Sequence, residues 1–103
     1  MVVVVVSPDW NISGKKLETD TFPDPKVQEQ LKKAVLVKIN PEASDDAKTM
    51  AARMKVSTYP SILILNYKGD VVTTLTGFQE AGKFAPFLSQ YVELFHENPL
   101  GPA

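Results

Sequence analysis

Residues 2–6 are five consecutive valines, and no other feature of the chain narrows the fold so sharply. β-Branched side chains favour extended backbone. An apolar run without alternation reads as a strand covered on both faces, since a half-exposed strand would place a polar residue at every second position. A chain with such a strand near its start needs layers packed on either side of it. Ser7-Pro8-Asp9 ends the run, and Trp10-Asn11-Ile12-Ser13-Gly14-Lys15 follows.

The rest of the chain supplies those layers. A helix is expected to start near Asn11 to Ser13, both of which can cap free backbone amides, with Leu17 inward and Lys15, Lys16 and Glu18 outward. Phe22-Pro23-Asp24-Pro25 should kink or break it, with Asp24 capping a restart that has Pro25 at its first position and Val27 and Leu31 on the inner face. Residues 34–40 read as a second strand closed by Asn40-Pro41. Ser44 should cap a helix running to Met54, with Asp45 and Asp46 in its first turn and with Met50 and Met54 as core residues. Residues 61–67 and 70–77 read as a hairpin around Lys68-Gly69-Asp70, the second of its strands ending at Gly77. Phe84, Phe87, Leu88, Tyr91, Val92 and Phe95 recur at helical spacing, with Pro86 expected in the first turn. Residues 97–103 read as an unstructured tail or linker, leaving 1–96 as the domain. The order is β-α-β-α-β-β-α: a four-stranded mixed sheet with helices on both faces.

Composition then removes whole classes of function. The chain of 103 residues has no cysteine, which excludes disulfides, zinc–thiolate sites and thiol catalysis by its own side chains. A net charge of −1 gives no basic surface for nucleic acid. No stretch approaches the length of a membrane span, so insertion of this domain is not expected. The valine run lacks the basic leader of a signal peptide, and a start directly on a core strand suggests a module of a longer protein. His96, the single histidine, has no neighbouring metal-ligating residue in sequence, and no cofactor is expected. Asp45-Asp46 and Glu18, Asp20 and Asp24 read as solvated charge. Ser13 and Ser61 lack an accompanying base.

The element order and several short motifs resemble the thioredoxin-like family. There a strand leads to Trp-Cys-x-x-Cys-Lys, which places Asn11 and Gly14 on the two cysteine positions. Thr58-Tyr59-Pro60-Ser61 is similar to the family's cis-proline segment, and Gly77-Phe78 to the end of its last strand. Asp9-Trp10, Thr21-Phe22-Pro23-Asp24-Pro25-Lys26-Val27 and Thr76-Gly77-Phe78 resemble more narrowly the C-terminal domain of the transmembrane thiol–disulfide interchange proteins. That likeness, spanning about residues 2–92, implies a periplasmic or extracytoplasmic setting within a larger envelope protein. The buried acid that assists the second thiol in thioredoxins would fall at about Val5, so three changes agree on a domain that lost its redox chemistry.

A site of that shape without sulfur leaves three readings. The resemblance implies that the residue before the proline offers its main chain to an extended peptide, and Trp10, Ile12, Tyr59 and Phe78 should gather at the same end. The first reading is therefore a peptide or protein partner bound by Trp10, Asn11, Ile12, Ser13, Gly14, Tyr59, Pro60, Gly77 and Phe78. The second is a glutathione-binding or thiol-independent transferase-like domain using the amides at Ile12 to Gly14, against which plain capping by Asn11 or Ser13 is the favoured account. The third is a structural or oligomerisation module.

Overall fold

The computed structural model describes residues 1–102. Strand β1 (Val2–Val6) lies inside a four-stranded sheet of order β2-β1-β3-β4, built with β2 (Val35–Ile39), β3 (Ser61–Leu65) and β4 (Val71–Thr76). β1 runs parallel to β2 and antiparallel to β3, and β3 pairs antiparallel with β4. The valine run is covered on both sides, with Val3, Val4, Val5 and Val6 all buried. Val3 and Val5 join Leu17, Phe22, Val27, Leu31, Phe84 and Leu88 on one face, whereas Val4 and Val6 meet Ile39, Ala51 and Leu63 on the other. Alternate side chains of a strand point to opposite faces, so an unbroken apolar run feeds two cores at once. The chain adopts the thioredoxin fold, an α/β arrangement with helices on both faces of a mixed sheet.

Helix α1 (Ile12–Lys16) passes into a π-helical turn over Leu17–Thr21, closed by the Phe22 N–H on the Leu17 carbonyl at 2.8 Å. Phe22-Pro23-Asp24 then breaks the chain, and α2 (Pro25–Leu31) restarts with Asp24 accepting from the amides of Lys26 at 2.9 Å and Val27 at 3.3 Å. The wide turn buries Leu17 and Thr21 together, and the Thr21 hydroxyl donates to the Gln79 carbonyl. That bond ties the first helix to the loop after β4. Helix α3 (Asp45–Arg53) is capped by Ser44 and covers the opposite face alone.

Three expectations need correction. Met50 is exposed rather than core, because α3 is short and lays only one row of side chains on the sheet, led by Ala51; Met54 is partly buried there. Pro86 falls in the second turn of α4 (Ala81–Glu97), not the first. Its missing N–H removes the helix bond to the carbonyl of exposed Gly82, and burial of Phe84, Ala85 and Leu88 holds the helix together around it. Finally, the residues after α4 return to the hairpin. The Tyr67 amide donates to the Leu100 carbonyl at 3.1 Å, and Asn66 Nδ2 to the Pro102 carbonyl at 3.0 Å. Ala103, the end of the segment read as a tail, lies outside the described residues.

Candidate functional site

Three loops meet at the end of the sheet where β1 leaves and β3 enters. The first carries Trp10 and Asn11 into α1. Asn11 is the N-cap: its backbone is extended, and its Oδ1 accepts from the Gly14 amide at 2.7 Å. Plain capping is thus what occupies the helix start, and Asn11 rather than Ser13 supplies it. The Gly14 amide, one of the donors a bound anion would use, is already taken. Gly14 is buried, and a Cβ built on it would lie 2.0 Å from the Ser7 hydroxyl oxygen and 3.0 Å from the Ser7 Cβ. The Ser7 side chain thus fills the space that a side chain at position 14 would enter.

The second loop is Val56 to Pro60. The Tyr59–Pro60 peptide bond is cis. Asn11 Nδ2 donates to the Tyr59 carbonyl at 3.4 Å, so one side chain bridges helix start and proline loop. Trp10 and Tyr59 meet edge to face, with ring centroids 6.4 Å apart. Among the described residues no acceptor reaches the Tyr59 N–H. The third loop follows β4: the Gly77 amide donates to the Pro60 carbonyl at 2.8 Å, and Gly77 has a φ of 82°, the left-handed region in which glycine is free of strain. Phe78 follows, partly exposed, with Lys16 Nζ 5.7 Å from its ring centre.

Of the sequence-predicted residues, contacts join Asn11 to Gly14 and Tyr59, Trp10 to Tyr59, and Gly77 to Pro60. Pro60 is buried; Trp10 and Ile12 are 61% and 75% exposed, and Tyr59 is half-buried. Ser13 stands in the first turn of α1, half-buried, and Ser61 donates its hydroxyl to the Thr58 carbonyl. His96 is exposed in the last turn of α4. Sequence reasoning missed Glu42, whose Oε1 accepts from Trp10 Nε1 at 2.9 Å. Glu42 and Tyr59, the two side chains that meet Trp10, also line a groove of about 720 Å³ that runs between Pro41 and α3, past Ala51 and Val56. No local pattern joins residues that far apart in the chain. Among the described residues no group of histidine, aspartate and glutamate could hold a metal ion.

Comparison with known proteins agrees with this fold. A family model described as a thioredoxin-like domain matches residues 1–91. The thiol:disulfide interchange protein DsbD of Haemophilus influenzae (strain PittEE) is 31% identical over 83 residues, which are 78% of this chain and 14% of that protein. The C-terminal domain of Neisseria meningitidis DsbD in its reduced form has a similar structure, with a TM-score of 0.70 at 21% identity over 86% of this chain and 78% of that one. A thioredoxin from Thermus thermophilus gives a TM-score of 0.75 at 22% identity, over 86% of this chain and 71% of that one. No helix among the described residues is long and apolar enough to cross a membrane. The chain belongs to the thioredoxin-like domain family, as a cysteine-free relative of the DsbD proteins, and spans about one seventh of the length of the relative it matches.

Proposed function

We propose that this is a redox-inert, non-enzymatic docking domain that binds an extended peptide segment of a partner protein across Trp10, Ile12, Tyr59 and Phe78, in an extracytoplasmic setting like that implied for its DsbD relatives. The observation that carries the reading is the free Tyr59 amide beside two exposed apolar side chains, Trp10 and Ile12. A main-chain donor with no internal partner pairs readily with an extended chain, and apolar neighbours supply the area such a contact buries. The groove beyond Tyr59 gives that chain room to continue. Neither contact needs a thiol. Glutathione binding finds less support, because Asn11 already holds the Gly14 amide.

Trp10 is the only tryptophan, so its fluorescence reports the site directly. The unfolded, alkylated insulin B chain serves as an extended probe. Binding should shift Trp10 emission to shorter wavelength and move the Tyr59, Ile12 and Phe78 amide resonances. A Trp10→Ala, Ile12→Ala double variant should lose the amide shifts. Saturating probe that leaves those amides unmoved, or moves others instead, would end the docking reading. In a dithiothreitol-driven insulin reduction assay the chain should add nothing to the buffer rate; acceleration would end the redox-inert reading.

A further inference from the structure

The order of the strands sets the order of the side chains at the docking end. The sheet runs β2-β1-β3-β4. Glu42 follows β2, Trp10 follows β1, Tyr59 and Pro60 lead into β3, and Phe78 follows β4. Three contacts join the members of this row: Glu42 Oε1 accepts from Trp10 Nε1 at 2.9 Å, Trp10 meets Tyr59 edge to face, and the Gly77 amide donates to the Pro60 carbonyl at 2.8 Å. The row ends in opposite charges. At one flank stands the Glu42 carboxylate, followed by exposed Asp45 in the first turn of α3; Lys48 enters only about one turn further along that helix. At the other flank Lys16 Nζ lies 5.7 Å from the centre of the Phe78 ring. Glu42 and Lys16 are both exposed, and among the described residues neither belongs to an ion pair. Glu80, two residues after Phe78, is taken by Lys83 at 3.6 Å, and Asp9 and Lys15 share a separate depression with Glu18.

We propose that the docking face selects its partner by charge at both flanks: the partner is an extended segment carrying one acidic and one basic side chain about four residues apart, the acid beside Lys16 and the base beside Glu42. This rests on the docking reading and names the chemistry which that reading leaves open. Neighbouring strands lie ~4.8 Å apart, so the steps from β2 to β4 separate the two flanks by roughly 14 Å. An extended chain advances ~3.3 Å per residue and covers that distance in about four residues. Side chains an even number of residues apart point to the same side of such a chain, so both charges face the site together. The stretch between them lies over Trp10 and Tyr59, where apolar side chains find area and a main-chain carbonyl meets the Tyr59 amide. The Trp10 indole is neutral, so it fixes the Glu42 carboxylate without cancelling its charge. A segment of one sign gains at one flank and is repelled at the other.

A set of synthetic peptides of one valine- and threonine-rich sequence tests this, with Glu–Lys, Lys–Lys, Glu–Glu or Gln–Gln placed at that spacing. Titrations read by Trp10 emission and the Tyr59 amide resonance should give the Glu–Lys peptide the lowest Kd. The single-sign peptides should bind about fivefold more weakly and converge on it at high salt. Moving the Glu and Lys to adjacent positions, which point to opposite sides, should remove the advantage. Glu42→Gln keeps an acceptor for Trp10 and should erase the preference for Glu–Lys over Glu–Glu. Lys16→Glu should change the rank order so that Lys–Lys binds best, which loss of a structural contact alone would not produce. Equal affinities for the whole set overturn this inference and leave docking standing. So does a rank order unmoved by Lys16→Glu. A set that leaves Trp10 emission and the Tyr59 amide unchanged overturns both.

Discussion

Asn11 Nδ2 lies 3.4 Å from the carbonyl oxygen of Tyr59, while Oδ1 of the same side chain accepts from Gly14 at 2.7 Å. One neutral amide thus spans the turn after β1 and the loop before Pro60. In a thiol-exchange domain this position must open to a second sulfur. Here the side chain caps the helix and reaches the loop that carries Tyr59 through a long hydrogen bond.

Removing the Asn11 side chain should therefore cost stability, chiefly through the cap. Asn11→Ala loses the helix cap and the bridge and should destabilise the chain by about 1 kcal/mol, within the ~0.5–2 kcal/mol range of N-cap deletions. Asn11→Ser keeps a capping oxygen and loses only the reach to Tyr59. It should recover most of the loss, since a bond of 3.4 Å is long and weak. Urea unfolding of the three proteins measures this. Equal midpoints for Asn11→Ala and the parent chain would contradict the role given to Asn11.

Gly14 and Ser7 should show a coupling that changes sign. Alanine normally outranks glycine in a helix by about 1 kcal/mol. At position 14, however, the new Cβ would strike the Ser7 side chain, at 2.0 Å from its oxygen and 3.0 Å from its Cβ. The hydroxyl can rotate, but the Cβ is fixed to the backbone and keeps the contact tight. Gly14→Ala should be destabilising, on the ~1–3 kcal/mol scale of overpacking. In a Ser7→Gly background both contacts vanish and the same change should be neutral or stabilising. A double-mutant cycle by chemical denaturation reads the coupling directly. The same logic predicts that reinstating two cysteines, Asn11→Cys with Gly14→Cys, gives a poorly folded domain unless Ser7 is cut back as well.

How far the sequence spoke depended on whether the signal was local. The valine run announced its own burial, because one strand can be apolar on both sides only between two layers. Asp24-Pro25, Ser44 and Gly69 marked their turns through capping and backbone preference, which act within a few residues. Met50 misled because α3 has helical spacing on every side, and only the tertiary packing shows that a single row touches the sheet. At the site, Trp10, Asn11 and Pro60 were legible through motif likeness. Glu42 and Ser7 were not, since each acts through a neighbour brought near by the fold.

The segment after α4 offers the sharpest remaining test, because its sequence reads as a linker and its structure does not. Asn66 is buried and anchors it: Nδ2 donates to Pro102, while Oδ1 accepts from the amides of Lys68 and Asp70, each at 3.0 Å. Gly101 has a φ of 91° and is buried, and a Cβ there would lie 2.5 Å from the Phe95 ring and 2.9 Å from the Asn66 Cβ. Gly101→Ala is thus opposed twice, by backbone conformation and by space. It should detach the segment and cost about 1–3 kcal/mol, the scale of other single substitutions with a named steric cause. Deleting residues 98–103 should cost no more than that, since it removes the same contacts without leaving the clash. The local readout is the Tyr67 amide, which donates to Leu100. It should be protected from exchange in the parent chain and lose that protection in both variants, while the Ile62 and Ile64 amides inside the sheet stay slow. A Tyr67 amide that exchanges fast in the parent would mean that the segment is free in solution, and Gly101→Ala should then have no effect on stability.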